Sequence, residues 1–348
     1  MIKDKKIFYI GEKPIEKNDA GNKARLDINS IMEKKEYISI ANISERKFNS
    51  LLEKIFFILN IKTLQRLYDI FRIKNKNIII QYPFYYNFIT RYALENIFRK
   101  DNNTIVFVHD LDSLRNFSKT KIDKEKELFY NAKVLILHNE KMKEYLGKKI
   151  MDQKIVSLDV FDYLLDQPLP NLKRRLSNNI AFAGNLLKSK FLNDLDIDDL
   201  KLEIDLYGPN FDKCDIKGKT LKYKGSFKPD VIPYKLEGGF GLIWDGTSLS
   251  SCEGDFGRYL KYNNPHKLSL YIAAGLPVIT WKEAAIADFI KKYNIGFVVD
   301  SLYDIHNIIN NTTDEQYDIY CKNMKVLQKK VCSGYFTNRA LKEAEKLL

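Results

Sequence analysis

Short apolar runs recur along this chain at intervals that leave room for one helix between successive runs. In the first half they are Lys6–Gly11, Tyr37–Ala41, Asn77–Tyr82, Thr104–His109, Lys133–His138 and Ile155–Val160. Continuous runs of this kind, bounded by polar residues, predict strands buried on both faces, as a parallel sheet demands. Between them, polar and apolar positions follow a helical period, as in Phe48–Leu59 and Asn87–Phe98. The rhythm is therefore strand, helix, strand, and it predicts an α/β doubly wound sheet. The pattern breaks at Leu164–Asn179, where Pro168 and Pro170 interrupt any period and the basic run Lys173-Arg174-Arg175 follows. It then resumes at Asn179–Ala183, Leu202–Tyr207, Leu221–Gly225, Phe240–Trp244, Pro277–Trp281 and Gly296–Asp300. The reading is two similar halves in tandem: residues 1–165, a linker over 166–179, residues 180–330, and a C-terminal helix over 331–348. Thr313–Leu348 is helical throughout, with a break at Gly334.

Composition narrows this picture in a few places. A length of 348 residues exceeds one ordinary α/β core and suits two. No apolar run approaches the roughly 20 residues that span a bilayer. The charged start Met1–Lys6 leads straight into Ile7–Ile10, which reads as a first strand and not as a signal peptide. The four cysteines, Cys214, Cys252, Cys321 and Cys332, have no CxxC spacing. Neither a zinc cage nor a disulfide framework is indicated, and a cytoplasmic location is expected. The formal charge of +12 suits nucleic acid, an anionic membrane surface or a phosphorylated substrate. No nucleic-acid-binding motif accompanies it, so nucleic acid is excluded as a partner, while peripheral contact with an anionic membrane surface stays open as a secondary property.

In open parallel sheets, ligands bind at the carboxyl ends of strands, so residues there carry the chemistry. After Gly11, the segment Asn18-Asp19-Ala20-Gly21-Asn22-Lys23-Ala24-Arg25 leads into a helix opening near Gly21, whose amides favour an anionic or polar ligand. His109-Asp110-Leu111-Asp112 follows a buried strand, with Arg115 beyond; Asp110 or His109 is placed to act as a general base, and an aspartate there also suits a helix cap. Gly184-Asn185-Leu186-Leu187-Lys188 offers backbone donors and an ammonium group to a phosphate, without the spacing of a Walker loop. Tyr207-Gly208-Pro209-Asn210 stops a strand in a turn. The densest cluster runs from Gly239 through Asp245 and Tyr259 to Leu268, then ends at Ala273-Ala274-Gly275. Here Asn264 reads as a helix N-cap, Pro265 as the first helical residue and Lys267 as a charge one turn in. Such a helix start can hold a pyrophosphate without a metal. His138, Trp244 and Trp281 read as core residues. The acidic pairs Asp110/Asp112 and Asp196/Asp198 are not read as metal sites.

The run Tyr259–Tyr271, with Gly275-Leu276-Pro277-Val278-Ile279 and Ala285-Ile286-Ala287-Asp288-Phe289, resembles the bacterial glucosyltransferase family that extends O-glycans on serine-rich-repeat adhesins. The same pattern occurs in related galactofuranosyltransferases of surface-polysaccharide synthesis. The resemblance implies a GT-B fold, with two Rossmann-like doubly wound domains facing a cleft and C-terminal helices. It also implies a UDP-sugar donor bound by the C-terminal half, a glycan or glycoprotein acceptor, no metal, no cofactor besides the UDP-sugar substrate, and homo-oligomerisation. Carried onto this chain, the donor contacts are Gly184, Asn185, Lys188, Tyr207, Gly208, Asp245, Asn263, Asn264, Pro265, His266 and Lys267. Asn18, Asp19, Gly21 and Lys23 face the acceptor, and His109 and Asp110 the reacting sugar.

Many retaining GT-B enzymes carry a pair of glutamates on the helix before the Gly-x-Pro-Val strand, whereas Asn263–Leu270 contains no carboxylate. Asp245, Asn263 or Asn264 must then hold hexose and ribose, and inversion is the expected course. The expected reaction is transfer of glucose or a related hexose to a terminal N-acetylglucosamine on a serine-rich glycoprotein, with galactofuranosyl transfer as the alternative. A silent GT-B subunit that stabilises a partner transferase is the rival from another class, and the polar loops after Gly184 and before Lys267 speak against it.

Overall fold

The computed structural model describes residues 6–13, 20–44, 50, 60–84, 88–115, 119–147, 150, 153–193, 195, 200–214 and 221–348. The chain forms two compact units. The first holds the strands β1 (Ile7–Lys13), β2 (Ile38–Ser44), β3 (Asn77–Tyr82), β4 (Asn103–Val108), β5 (Val134–Leu137) and β6 (Lys154–Ser157). Its described helices are α1 (Ala20–Lys34), α2 (Ile61–Phe71), α3 (Phe88–Phe98), α4 (Asp112–Arg115), α5 (Lys119–Tyr130) and α6 (Glu140–Leu146). The strands lie in the order β2-β1-β3-β4-β5-β6, every pair parallel. Every residue of β3 and β5 is buried, and so is all of β4 beyond Asn103. This is the physical meaning of their unbroken apolar runs, since helices cover both faces of a parallel sheet.

The second unit holds β7 (Asn179–Ala183), β8 (Glu203–Tyr207), β9 (Leu221–Gly225), β10 (Phe240–Ile243), β11 (Val278–Trp281) and β12 (Gly296–Val299). With them go α7 (Gly254–Tyr259), α8 (His266–Ala273), α9 (Ala287–Tyr293), α10 (Ile305–Asn311) and α11 (Asp314–Cys332). The order β12-β11-β10-β7-β8-β9 is again all parallel. Numbered within the unit and read from β9, this is the 3-2-1-4-5-6 order of dinucleotide-binding sheets.

All twelve predicted strands are present, each overlapping its expected span. The helical segment Phe48–Leu59 lies outside the described residues apart from Ser50. The break at Gly334 is also found: its φ of +79° ends α11, and α12 (Tyr335–Lys346) follows. The chain leaves the first unit after Leu158 and returns to it at Thr337, so residues 166–179 belong to the second unit. The returning segment is tied into the first unit by Arg339, whose Nη2 donates to the carbonyls of Ser157 and Leu158 at 2.8 and 3.0 Å. Glu345 adds an ion pair with Lys35 at 3.3 Å and a hydrogen bond from Tyr37. Among the described residues no helix is long and apolar enough to cross a membrane.

Candidate functional site

In the second sheet the strand order reverses between β7 and β10, because their successors β8 and β11 lie on opposite sides. Ligands of open α/β sheets sit at such a reversal, where the flanking loops part. The two strands pair only at Phe240–Ile180 and Gly241–Ala181. Beyond that rung the ladder is completed by a side chain: the Tyr271 hydroxyl of α8 accepts from the Ala183 amide at 2.9 Å and donates to the Leu242 carbonyl at 3.0 Å. Burial pushes this phenol far above its ordinary value, so it stays protonated. The ring lies against Gly241, where an added Cβ would come within 2.5 Å of the ring Cγ.

The strand ends on either side of the reversal carry the predicted residues. Gly184 follows β7 and donates its amide to the Tyr207 carbonyl at 3.0 Å. A Cβ at Gly184 would stand 3.1 Å from Lys267 Cε, and one at Gly208, whose φ is +142°, would stand 1.8 Å from the Gly184 carbonyl oxygen. Only glycine at 208 lets the two loops meet, and glycine at 184 leaves the space in which the lysine side chain lies. Asn185 accepts from Asn210 Nδ2 at 3.1 Å, and Lys188 is exposed on the turn Leu186–Lys188.

Asp245 follows β10. The ammonium group of Lys267 donates to Asp245 Oδ1 at 3.0 Å and to the Trp244 carbonyl at 3.2 Å, and it stands 4.5 Å from the centre of the buried Phe182 ring. The mouth of α8 therefore opens beside Gly184 and Asp245, and no side chain caps it.

Three expectations are corrected here. The helix begins at His266 with Pro265 in the N-cap position, because Pro265 keeps an extended ψ of 142°. Asn264 is accordingly no cap; its Nδ2 donates to the Asp159 carbonyl at 2.5 Å. Lys267 is the second helical residue and does not lie a turn in. Tyr207 is buried; its hydroxyl accepts from the Glu237 amide at 3.1 Å and its carbonyl from the Gly184 amide. His266 stacks on Tyr163 with ring centres 5.1 Å apart, which anchors the helix start. The side-chain oxygen of Asn263 is buried and has no hydrogen-bond partner among the described residues.

Four residues of this arrangement were missed in sequence. Tyr271 and Phe182 look like ordinary core positions, and nothing in their spacing marks them. Arg174 sits in a basic run read only as part of the linker, yet its guanidinium donates to the Ala274 carbonyl at 2.7 Å and to the Leu236 carbonyl at 2.8 Å. Gln328 of α11 donates to the Ala273 carbonyl at 2.8 Å. Together they satisfy the last carbonyls of α8 and place a cation at its negative end.

In the first unit, His109 and Asp110 directly follow β4. His109 is 8% exposed, and its Nε2 lies 2.6 Å from Gln81 Oε1. Gln81 in turn donates to Asn29 Oδ1 at 2.9 Å, Asn29 donates to the Glu12 carbonyl at 2.7 Å, and Glu12 pairs with Arg25. His109 is thus bound into a buried network that fastens α1 to the sheet, whereas Asp110 is only half-buried. Lys23 pairs with Asp27 at 2.6 Å in a buried position. The first amide of α4 beyond Asp112, that of Ser113, is met by Glu125, which also accepts from the Tyr82 hydroxyl at 2.9 Å; burial raises the Glu125 carboxyl above its ordinary value. His138 is fully buried, and loss of hydration pushes it down to about 4, in keeping with a core role. Asn18, Asp19, Asp196 and Asp198 lie outside the described residues; Gly21 lies in the first turn of α1 and Arg115 ends α4. Among the described residues no group of three or more His, Cys, Asp or Glu is arranged to hold a metal ion.

Comparison with known proteins supplies the context. Residues 12–160 match the glucosyltransferase 3-like N-terminal domain, and residues 180–344 match the glucosyltransferase 3-like C-terminal domain. The β-1,6-galactofuranosyltransferase WbbI of Escherichia coli K12 is 31% identical over 97% of this chain and 98% of its own. Glucosyltransferase 3 of Streptococcus gordonii is 26% identical over 69% of this chain and 70% of its own. Among solved structures, Anabaena HepE in complex with UDP and glucose superposes with a TM-score of 0.57 at 14% identity, covering 98% of this chain and 99% of that one. With the two parallel six-stranded sheets, this likeness identifies the fold as GT-B.

Proposed function

The chain belongs to the glucosyltransferase 3-like family, and on that ground we propose that it moves a hexosyl group from a UDP-sugar to a saccharide hydroxyl without a metal ion. It is a glycosyltransferase with a GT-B fold; the proposal concerns donor, acceptor and catalytic groups. The observation that carries it is the meeting of Gly184, Asp245 and Lys267 at the reversal of the second sheet, beside the uncapped start of α8. Amides and the positive end of a helix attract a diphosphate. An ammonium group then supplies the charge that a divalent cation supplies elsewhere, and stabilises the UDP as it leaves. Lys188, exposed nearby on its turn, adds to this field.

In the first unit, Asp110 or His109 is the proposed base for the acceptor hydroxyl. Inversion follows as the proposed course. Two donors are supported by different relatives. Glucose follows from the streptococcal glucosyltransferase 3 proteins; N-acetylglucosamine on a serine-rich glycoprotein is the acceptor proposed with it. Galactofuranose in polysaccharide synthesis follows from the galactofuranosyltransferase, whose likeness is higher and runs nearly end to end. The reading further includes a cytoplasmic location, homo-oligomers, and peripheral contact with anionic membrane, the last supported by the charge of +12.

The test is a donor panel of UDP-glucose, UDP-galactofuranose and UDP-N-acetylglucosamine, each run with and without chelator. Turnover of one hexose donor, undiminished by chelator, is expected, together with loss of most turnover in a folded Lys267→Ala variant. Activity that vanishes with chelator, or wild-type turnover in the variant, overturns the diphosphate assignment.

A further inference from the structure

We infer that Asp245 reads the sugar half of the donor and that Lys267 acts as its positioning residue as well as a phosphate partner. The inference rests on the donor site proposed above and goes beyond it in separating the group that meets the nucleotide from the group that meets the hexose.

Asp245 is an awkward residue for a diphosphate site. It stands at the carboxyl end of β10, and its side chain keeps 25% of its surface exposed. A carboxylate there repels a dianion, and Asn263–Leu270 contributes no carboxylate for which it could be a surplus copy. Its charge is tolerable only with local compensation, and Lys267 provides that at 3.0 Å.

The lysine is also held in place. Its Cε lies 3.1 Å from where a Cβ at Gly184 would be, its Nζ donates to the Trp244 carbonyl at 3.2 Å, and the Phe182 ring centre lies 4.5 Å from it. A lysine ammonium has three donors. One meets Asp245 and one meets Trp244, which leaves one for an anion. The same ammonium group can therefore touch a phosphate while fixing the carboxylate next to it.

An ionised carboxylate only accepts hydrogen bonds. The phosphates have no proton to offer it near neutral pH, whereas the hexose attached to them presents several hydroxyls. The hexose is also where positive charge develops as the glycosidic bond breaks, so a negative group is welcome there and unwelcome at the diphosphate. Of the other two polar candidates for the sugar, Asn264 donates its Nδ2 to the Asp159 carbonyl, and the side-chain oxygen of Asn263 is buried.

The experiment compares Asp245→Asn and Lys267→Met with the wild-type chain. It measures inhibition by UDP and the kcat and KM of whichever donor the panel identifies, UDP-glucose or UDP-galactofuranose; thermal unfolding verifies that each variant is folded. Asp245→Asn is expected to leave UDP inhibition unchanged or tighter while kcat/KM for the UDP-hexose falls at least tenfold. Lys267→Met is expected to weaken both. If Asp245→Asn weakens UDP and UDP-hexose by the same factor, the carboxylate serves the nucleotide or merely tethers the lysine, and the inference falls. It falls equally if Asp245→Asn changes nothing while Lys267→Met weakens UDP. If neither variant alters UDP inhibition or transfer, the donor site itself is misplaced.

Discussion

A lysine in the first turn of a helix ordinarily trails into water, but Lys267 is threaded between a glycine backbone, a carbonyl, a carboxylate and an aromatic face. Its usefulness depends on that confinement, since a charge already in position loses little conformational freedom when an anion arrives. His138 shows the opposite treatment of a titratable group. It sits fully buried, and burial lowers its value from 6.5 to about 4. The sign of the pH effect follows directly. Above about pH 6.5 both folded and unfolded chains hold the imidazole neutral, so nothing is gained or lost. Between there and pH 4 the unfolded chain takes up a proton that the folded one refuses. Stability therefore declines on acidification by up to about 3 kcal/mol from this group alone. Denaturant unfolding of wild type and His138→Asn across this window measures it. The slope of stability against pH is expected to be shallower in the variant by about one proton, and equal slopes would exclude the effect. Glu125, raised by burial, titrates with the opposite sign in both proteins and cancels from the difference.

Among the elements, α8 is fixed at both ends and through its middle. Arg174 and Gln328 hold its last carbonyls, Tyr163 and Asp159 hold its approach, and Tyr271 joins it to β7 and β10. Gly241→Ala would drive a methyl group into the Tyr271 ring at 2.5 Å. Overpacking of this sort costs about 1–3 kcal/mol. Both a lower unfolding midpoint and weaker UDP binding are expected, because a shifted tyrosine releases the Ala183 amide beside Gly184; calorimetry of UDP binding is the check, and unaltered affinity would sever the link. The twelve strands were legible in sequence because a parallel sheet leaves runs of apolar residues that need no partner to be seen. The strand-end glycines at 184 and 208 were legible for a related reason: backbone approach leaves glycine at the contact. Tyr271, Arg174 and Gln328 were not, because their hydrogen bonds go to carbonyls and amides remote in the chain, which no local pattern encodes. The start of α8 was misplaced by one residue, since an Asn-Pro pair is equally consistent with Asn capping the helix and with Asn reaching elsewhere.

At the scale of the whole chain, the two units are unequal in how they are built. The bulk of the second is one unbroken stretch, Asp159–Phe336, and the proposed donor groups Gly184, Asp245 and Lys267 all lie within it. A fragment of those residues is expected to fold, to bind UDP within a fewfold of the full chain, and to transfer nothing; isothermal titration with UDP tests this, and loss of binding in a folded fragment would implicate residues of the first unit. The first unit has no such independence, because Thr337–Leu348 belongs to it and Arg339 braces the end of β6. During synthesis that segment emerges only after the whole of the second unit has been made. The half of the chain translated first is therefore completed last, and a chain released after Phe336 would carry a complete carboxyl-terminal stretch joined to an amino-terminal unit still awaiting its closing helix.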